Sequence, residues 1–509
     1  MRDARADDGS EMSEEKVRIR LEPVGADVEV PRGAMLSSVL STYGIEFPCA
    51  GSAACGGCRV RVLAGSLPVT MQDVLVLSAG ELAEGWRLAC QARAEMPLVL
   101  ACGQWHMDVL ADSATLRPAG KTGLGIAIDL GTTTIAAQMI DLAAGSVLAV
   151  ETLLNPQAAL GSDVMSRIKA VLSGEDLTAV VRSALGQMIA QLAAGREEEI
   201  AEVVLVGNTV MHHLFAGLDV EPLSHVPFQS PNLGAQHFRP RDLGWGLPGD
   251  CDIRFERCLG SFVGSDILAG VVATGMVHAE GMQALVDLGT NGEIAMGNRK
   301  RIVCASTAAG PAFEAGSIRM GMRAATGAIA HVSLDGGKMR CTVIGGVAPL
   351  GICGSGLVDA VASGLETGEI LPSGRIVNPS RVLPVQDGIV LFQSDIRQLQ
   401  LAKGAIASGF KLMLQQLGTS AGRLGRIDIA GAFGNYVRIE SAIGIGLLEA
   451  PERLIHAAGN TALRGAKILL LAAEEPALPV IEHFSLAAEP GFQDEFAECM
   501  AFPVPARES

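Results

Sequence analysis

One pattern recurs in this chain and limits the fold more than any other feature. Gly125-Ile126-Ala127-Ile128-Asp129-Leu130-Gly131-Thr132-Thr133-Thr134 parallels Ala284-Leu285-Val286-Asp287-Leu288-Gly289-Thr290-Asn291-Gly292-Glu293. In each copy an apolar strand runs into Asp-Leu-Gly-Thr, and a second apolar run follows at once, over 135–140 and 294–296. A third comes after a Gly-containing turn, over 147–150 and 302–304. Two three-stranded meanders with helices behind them predict two similar α/β lobes, with one hairpin turn from each facing a shared cleft. The separation is that of lobes, because solenoid units repeat at about 20–50 residues.

The turns themselves carry chemistry. Glycine permits close approach of a phosphate, backbone N–H groups and threonine hydroxyls bind its oxygens, and the aspartate sits where Mg²⁺ or its waters need a carboxylate. One Asp-x-Gly-Thr-Thr is weak evidence; two at equivalent places in a duplicated fold are much stronger. They resemble the phosphate-1 and phosphate-2 motifs of the acetate and sugar kinase, heat-shock chaperone and actin (ASKHA) superfamily. Ile427-Asp428-Ile429-Ala430-Gly431-Ala432-Phe433-Gly434-Asn435 is similar to that superfamily's adenosine motif. The resemblance implies bound ATP and Mg²⁺, with Asp129, Asp287 and Glu293 as catalytic carboxylates. It implies nucleotide contacts from Gly131, Thr132, Thr133, Gly289, Thr290, Asn291, Gly292, Gly431 and Gly434. Gly354 and Gly356, in a glycine turn that opens a helix, are further candidates for nucleotide contact. A packing turn around a buried Cys353 is the competing reading. Glu314, like Glu293, is placed to orient an attacking water. His212 and His213 stand at a strand-to-helix junction, where one of such a pair faces the core or a hinge and metal ligation is not expected.

Of the 11 cysteines, four group together as Cys49-x5-Cys55-x2-Cys58 followed at a distance by Cys90. Three thiolates on one tight loop of small residues, with a fourth further on, suit a 2Fe–2S cluster whose sulfides face backbone N–H groups. Zinc is the competing metal, but it prefers two C-x2–4-C pairs, and Cys90 has no paired cysteine nearby. Around these cysteines the pattern reads strand–strand–helix–strand–strand: Val17, Ile19 and Leu21 alternate, as do Val28 and Val30. Met35, Leu36, Val39 and Leu40 fit a helix, and Val60 and Leu98 mark later strands. That is the outline of an α+β β-grasp ferredoxin domain. The expected organisation is a disordered acidic tail over 1–15, the ferredoxin domain over 16–102 and a linker over 103–122. The two ASKHA lobes follow over 123–280 and 281–509.

Composition narrows the partners. A net charge of −16, with 14 Phe, 3 Trp and 2 Tyr, argues against nucleic acid or an anionic membrane. The N-terminus has no hydrophobic leader and no charge-free apolar run reaches about 18 residues, so a cytoplasmic protein with no membrane span is expected.

A 2Fe–2S β-grasp domain fused to an ASKHA ATPase resembles the reductive activators of corrinoid proteins. The resemblance runs from residue 16 to about 470 and includes Asn155-Pro156-Gln157, Gly161-Ser162-Asp163-Val164-Met165-Ser166-Arg167-Ile168 and Phe262-Val263-Gly264-Ser265-Asp266. It implies ATP-dependent, one-electron reduction of a Co(II) corrinoid to Co(I) for methyl transfer. The implied partners are a corrinoid protein and an upstream low-potential electron donor. The short spacer after the cluster domain leaves no room for the middle domain of longer members, so a homodimer is an open expectation. Two other functions fit the same motifs: an ATP-gated electron donor to a non-corrinoid enzyme, and a small-molecule kinase with a regulatory cluster.

Overall fold

The computed structural model describes residues 15–22, 26–41, 53, 58–102, 120–161, 163–289, 291–315, 317–322, 324, 327–346, 348–386, 388–431, 437–474 and 476–504. Most of the expected tail and linker, together with Cys49, Cys55, Thr290 and Gly434, lies outside these residues.

Strict alternation along the strand Lys16–Glu22 sends Val17, Ile19 and Leu21 into a core and leaves the residues between them at the surface. Its sheet runs in the order Ala26–Pro31, Lys16–Glu22, Leu98–Cys102, Arg59–Ala64, Trp86–Leu88. The central pair, Lys16–Glu22 with Leu98–Cys102, is parallel and its neighbours are antiparallel. A parallel pair needs a crossover, and the helix Leu36–Ser41 lies within it. This is the expected β-grasp arrangement.

The duplication shows in the two large sheets. The first runs Val147–Leu154, Thr134–Asp141, Leu124–Leu130, Ile200–Val206, Asp252–Phe255, with Gln236–Phe238 on its far edge. The second runs Arg301–Thr307, Gly292–Gly297, Gln283–Leu288, Arg426–Ala430, Ile455–Gly459, with Val480–His483 beside Arg301–Thr307. Strand for strand the orders match: an antiparallel meander, then two parallel strands added on the side of the first. Asp129 and Asp287 end the equivalent central strands.

One helix from each lobe covers the other lobe's sheet. Ile267, Val271 and Val272 of the helix Ser265–Ala273 share a core with Leu285, Ala295 and Ala430 of the second sheet. Leu463, Ala466 and Leu470 of the helix Thr461–Leu471 share a core with Ala127, Val204 and Val206 of the first. The two helices cross at small residues: a Cβ on Gly465 would lie 2.1 Å from the Ala269 carbonyl oxygen. Between Thr307 and Gln393 the second lobe carries an insertion that the sequence pattern did not reveal. It holds a three-stranded sheet ordered Lys338–Val343, Ala328–Asp335, Gly351–Ile352, and a hairpin of Val382–Gln386 with Ile389–Phe392.

Gly465→Val places side-chain atoms where the Ala269 backbone stands. It should cost about 1–3 kcal/mol of stability, read as a lower midpoint in urea unfolding. An unchanged midpoint would show that the helices part without cost.

Candidate functional site

Two of the four expected cluster cysteines lie among the described residues, and the fold brings them together. Cys58 immediately precedes the strand Arg59–Ala64 and Cys90 sits in the turn Ala89–Gln91; both are buried. The Ala89 N–H donates to the Cys58 carbonyl at 2.9 Å, tying the two segments. The buried Asp73 accepts from the Leu88 N–H at 2.8 Å while capping its own helix through Thr70. It thereby fixes the approach to Cys90. The Gln91 side-chain amide donates to the Cys90 sulfur at 3.7 Å, which is what an anionic metal-bound sulfur requires. Soft thiolate donors, buried and supplied with N–H groups, fit an iron–sulfur cluster.

The cleft between the lobes is built from the expected turns. Gly131 has no room for a side chain, because a Cβ there would meet the Thr134 carbonyl oxygen at 2.4 Å. The carbonyls of this turn are tied from behind. Asn155 donates through its side chain to Gly131 O at 2.9 Å and through its backbone to Thr133 O at 2.9 Å. Arg167, fully buried, donates to Thr132 O at 2.5 Å, Gly161 O at 2.9 Å and Gln157 Oε1 at 3.1 Å. Burial lowers its pKa to about 10, with the charge of Asp163 working against the fall. Asn208, at the N-cap of the helix Thr209–Ala216, donates to Thr132 Oγ1 at 2.8 Å. A buried guanidinium and three buried amides therefore hold one hairpin turn rigid.

Carboxylates gather on the cleft floor. Asp287 and Glu293 are cross-strand partners, and Asp266, in the first turn of its helix, is close enough to raise the pKa of Glu293 and to be raised itself by Asp287 and Asp129. Asp129 accepts from the Asn460 amide at 3.0 Å. Burial raises the Asp129 pKa to about 6, with that hydrogen bond working against the rise. Burial and then the charge of Asp129 raise Asp287 to about 7. Asp266 and Glu293 are pushed up by burial first, then by Asp287 and Asp266 respectively. Such a set is at odds with itself at neutral pH unless a cation or protons join it. Among the described residues no three His, Cys, Asp or Glu side chains converge closely enough to hold a metal ion alone.

The other expected contacts divide. Gly431 (φ +87°) closes the strand Arg426–Ala430 against the second turn, where a Cβ would lie 2.7 Å from Asp287 Oδ1 and from Leu288 O. Gly289 donates its N–H to Asn291 O at 3.1 Å within that turn. Gly292 is required by packing, since a Cβ would run into Ile406. Packing also accounts for Gly356, whose Cβ would lie 2.2 Å from Ile329 O, and for the turn around it: Ser355 donates to Ala330 O at 2.8 Å and Cys353 is buried. Glu314 reaches across the cleft and accepts from the Thr133 hydroxyl at 3.2 Å. His212 and His213 are core residues: His213 is paired with Thr209 O at 2.8 Å and Ser230 Oγ at 2.6 Å, and burial lowers His212 to about 4. Sequence reasoning did not single out Asp266, Asn460 or Arg167 as site residues. The signal for Asp266 and Asn460 was the equivalence of the two crossing helices, whose N-termini meet the two aspartates; Arg167 lies on neither of them.

Three family models match the chain in series. The 2Fe-2S iron-sulfur cluster binding domain covers residues 19–95, the RACo middle region 124–279, and the C-terminal domain of RACo, the ASKHA domain, 281–508. The corrinoid activation enzyme RamQ of Eubacterium limosum is 35% identical over 437 residues, 78% of this chain and 73% of that one. The chain belongs to the family of reductive activators of corrinoid proteins. A Co(II) methylated amine-specific corrinoid protein reductase of Methanosarcina barkeri is 28% identical over 389 residues, 68% of this chain and 70% of that one. The solved reductive activator for corrinoid, iron-sulfur protein superposes with a TM-score of 0.68 at 27% identity, covering 96% of this chain and 98% of that one. The model of the family's middle region coincides with the first lobe, residues 124–279, and leaves the spacer before it unmatched. Among the described residues no helix is long and apolar enough to cross a membrane.

The raised carboxylates set a pH test. Asp287 ionises in the fold near 7, against 3.8 ordinarily, so its charge penalises the folded state increasingly from pH ~4 to ~7. Asp287→Asn should therefore stabilise the nucleotide-free protein by about 1 kcal/mol or more at pH 7.5 and by progressively less towards pH 5. Denaturant unfolding at several pH values measures this. A gain independent of pH would contradict it.

Proposed function

We infer that this protein uses ATP, bound with Mg²⁺ between its lobes, to promote delivery of one electron from its 2Fe–2S cluster to a Co(II) corrinoid carried by a partner protein. The product is Co(I), the nucleophile of methyl transfer, and an upstream low-potential donor restores the reduced cluster. The observation that carries this reading is full-length similarity to corrinoid activators in a chain that joins the cysteine site to a duplicated carboxylate cleft.

Cys49, Cys55, Cys58 and Cys90 would hold the cluster, which supplies a one-electron carrier near about −400 mV. The Co(II)/Co(I) couple is expected to lie lower, and each 59 mV uphill costs about 1.4 kcal/mol for one electron. Lobe closure on nucleotide can offset such a cost by changing how the corrinoid is held, for example by removing a cobalt ligand. In this reading Thr132 and Thr133 contact phosphate, and Gly431 opens room for the nucleoside. Asp129 and Asp287 hold Mg²⁺ or its waters, and Glu293 and Asp266 orient water at the terminal phosphate.

A spectral assay of Co(I) formation with corrinoid proteins, with and without ATP, tests this directly. Asp129→Ala should lose at least tenfold of the ATP-dependent rate, the loss of about 1.4 kcal/mol of barrier lowering, with the cluster spectrum unchanged. ATP-independent reduction at the full rate would sink the proposal.

A further inference from the structure

We infer that Glu314 senses the terminal phosphate of the nucleotide: it holds the Thr133 hydroxyl across the cleft until that phosphate displaces it. This step rests on the reading that ATP binds between the lobes.

Thr133 belongs to the hairpin turn of the first lobe, and Glu314 closes the short turn Pro311–Glu314 of the second. The bond between them, at 3.2 Å, joins the two walls of the cleft at the point where a phosphate would enter. A threonine hydroxyl has one proton to donate. It cannot give that proton to a carboxylate and to a phosphate oxygen together. The carboxylate and the phosphate also repel each other at that distance, most strongly where water is excluded. Occupation of Thr133 by phosphate therefore requires Glu314 to withdraw, whereas a nucleotide lacking the terminal phosphate leaves the bond in place.

The turn that carries Glu314 is suited to such a movement. Gly310 (φ +74°), Ala315 (φ +59°) and Ser317 (φ +63°) bracket it with left-handed backbone, which two of these residues adopt without the freedom of glycine. Beneath it Phe313 is buried in the second lobe's core. The turn touches the helices Gly354–Glu366 and Gln393–Gln416. The first of these packs on the strand Ala328–Asp335, and the turn Ile344–Gly346 of the same small sheet lies against the ferredoxin helix Leu36–Ser41. A shift of Glu314 thus has a packed route to the domain that carries the cluster cysteines. Its role is that of a positioning residue, acting through Thr133 and this route.

The test uses the full chain with its cluster reconstituted. Affinities for ATP and ADP are measured by calorimetry for wild type, Glu314→Gln, Glu314→Ala and Thr133→Val, alongside the ATP dependence of Co(I) formation. Glu314→Ala should bind ATP about fivefold tighter or more, leave ADP affinity unchanged, and lose the stimulation of electron transfer by ATP. Glu314→Gln, which keeps an acceptor but not the charge, should fall between and also serves if the alanine variant is unstable. The effects of Glu314→Ala and Thr133→Val on ATP affinity should be strongly non-additive when combined. Unchanged or weaker ATP binding by both Glu314 variants, with wild-type binding intact, overturns this inference alone. Failure of the wild type to bind ATP overturns it together with the nucleotide reading.

Discussion

The close crossing of two helices at Gly465 and Ala269 is the constraint on which the two-lobed body depends. A Cβ at Gly465 would overlap the Ala269 backbone, so the helix axes approach as closely as two backbones allow. Because Ser265–Ala273 covers the second sheet and Thr461–Leu471 covers the first, separating the lobes would strip the apolar face from both sheets. Rotation about the crossing is much cheaper, since it slides packed surfaces without exposing them. The same two helices begin in the cleft, with Asp266 in the first turn of one and Asn460 at the N-cap of the other. Any change in the crossing angle is therefore also a change in the distances among the cleft side chains.

The plan of the lobes was legible because it is written twice. An apolar strand ending in Asp-Leu-Gly-Thr is ambiguous alone, but a second copy fixes which strand is central, and both sheets follow from it. The ferredoxin outline was legible for a different reason: period-two burial along Lys16–Glu22 is explicit in the residues. The insertion between Thr307 and Gln393 was not. Its strand Lys338–Val343 has no fully buried position, and the edge strand Val480–His483 is mostly exposed, so neither carries the hydrophobic signal from which strands are read. Within the cleft, the residues that touch phosphate in the proposed reading were visible as a motif. Asn155 and Arg167 stood in segments that carry the family resemblance, but their bracing role was not legible, because they act on backbone carbonyls far away in sequence.

Bracing of this kind has an energetic logic. A buried arginine without a partner carboxylate is costly, and here the cost is met by carbonyl oxygens of Thr132 and Gly161 and the amide oxygen of Gln157. These are neutral acceptors, so no ion pair neutralises the guanidinium behind the first turn. Burial is what depresses the pKa of Arg167, and the charge of Asp163 opposes it. Charge stored behind the first turn and excess negative charge on the floor beneath the second are complementary halves of one field, oriented across the cleft.

The pseudo-twofold relation between the lobes is broken where it matters chemically. By position, Asp266 stands to Asp287 as Asn460 stands to Asp129. One half of the cleft thus pairs two carboxylates, and the other pairs a carboxylate with an amide that donates to it at 3.0 Å. Burial raises Asp129 to about 6 against the pull of that amide, whereas Asp287 reaches about 7 with the charge of Asp129 added to its burial. A phosphate approaching along the first turn meets Thr132, Thr133 and an aspartate already satisfied by an amide. Along the second it meets unrelieved carboxylates, whose mutual repulsion a cation or protons relieve. A symmetric pair of carboxylate dyads would repel a polyphosphate from both sides, and a symmetric pair of amide-capped aspartates would leave Mg²⁺ too few charged oxygens. In the proposed reading the asymmetry lets a phosphate approach along the amide-capped half, while Asp129 and Asp287 share its counter-ion between the two halves.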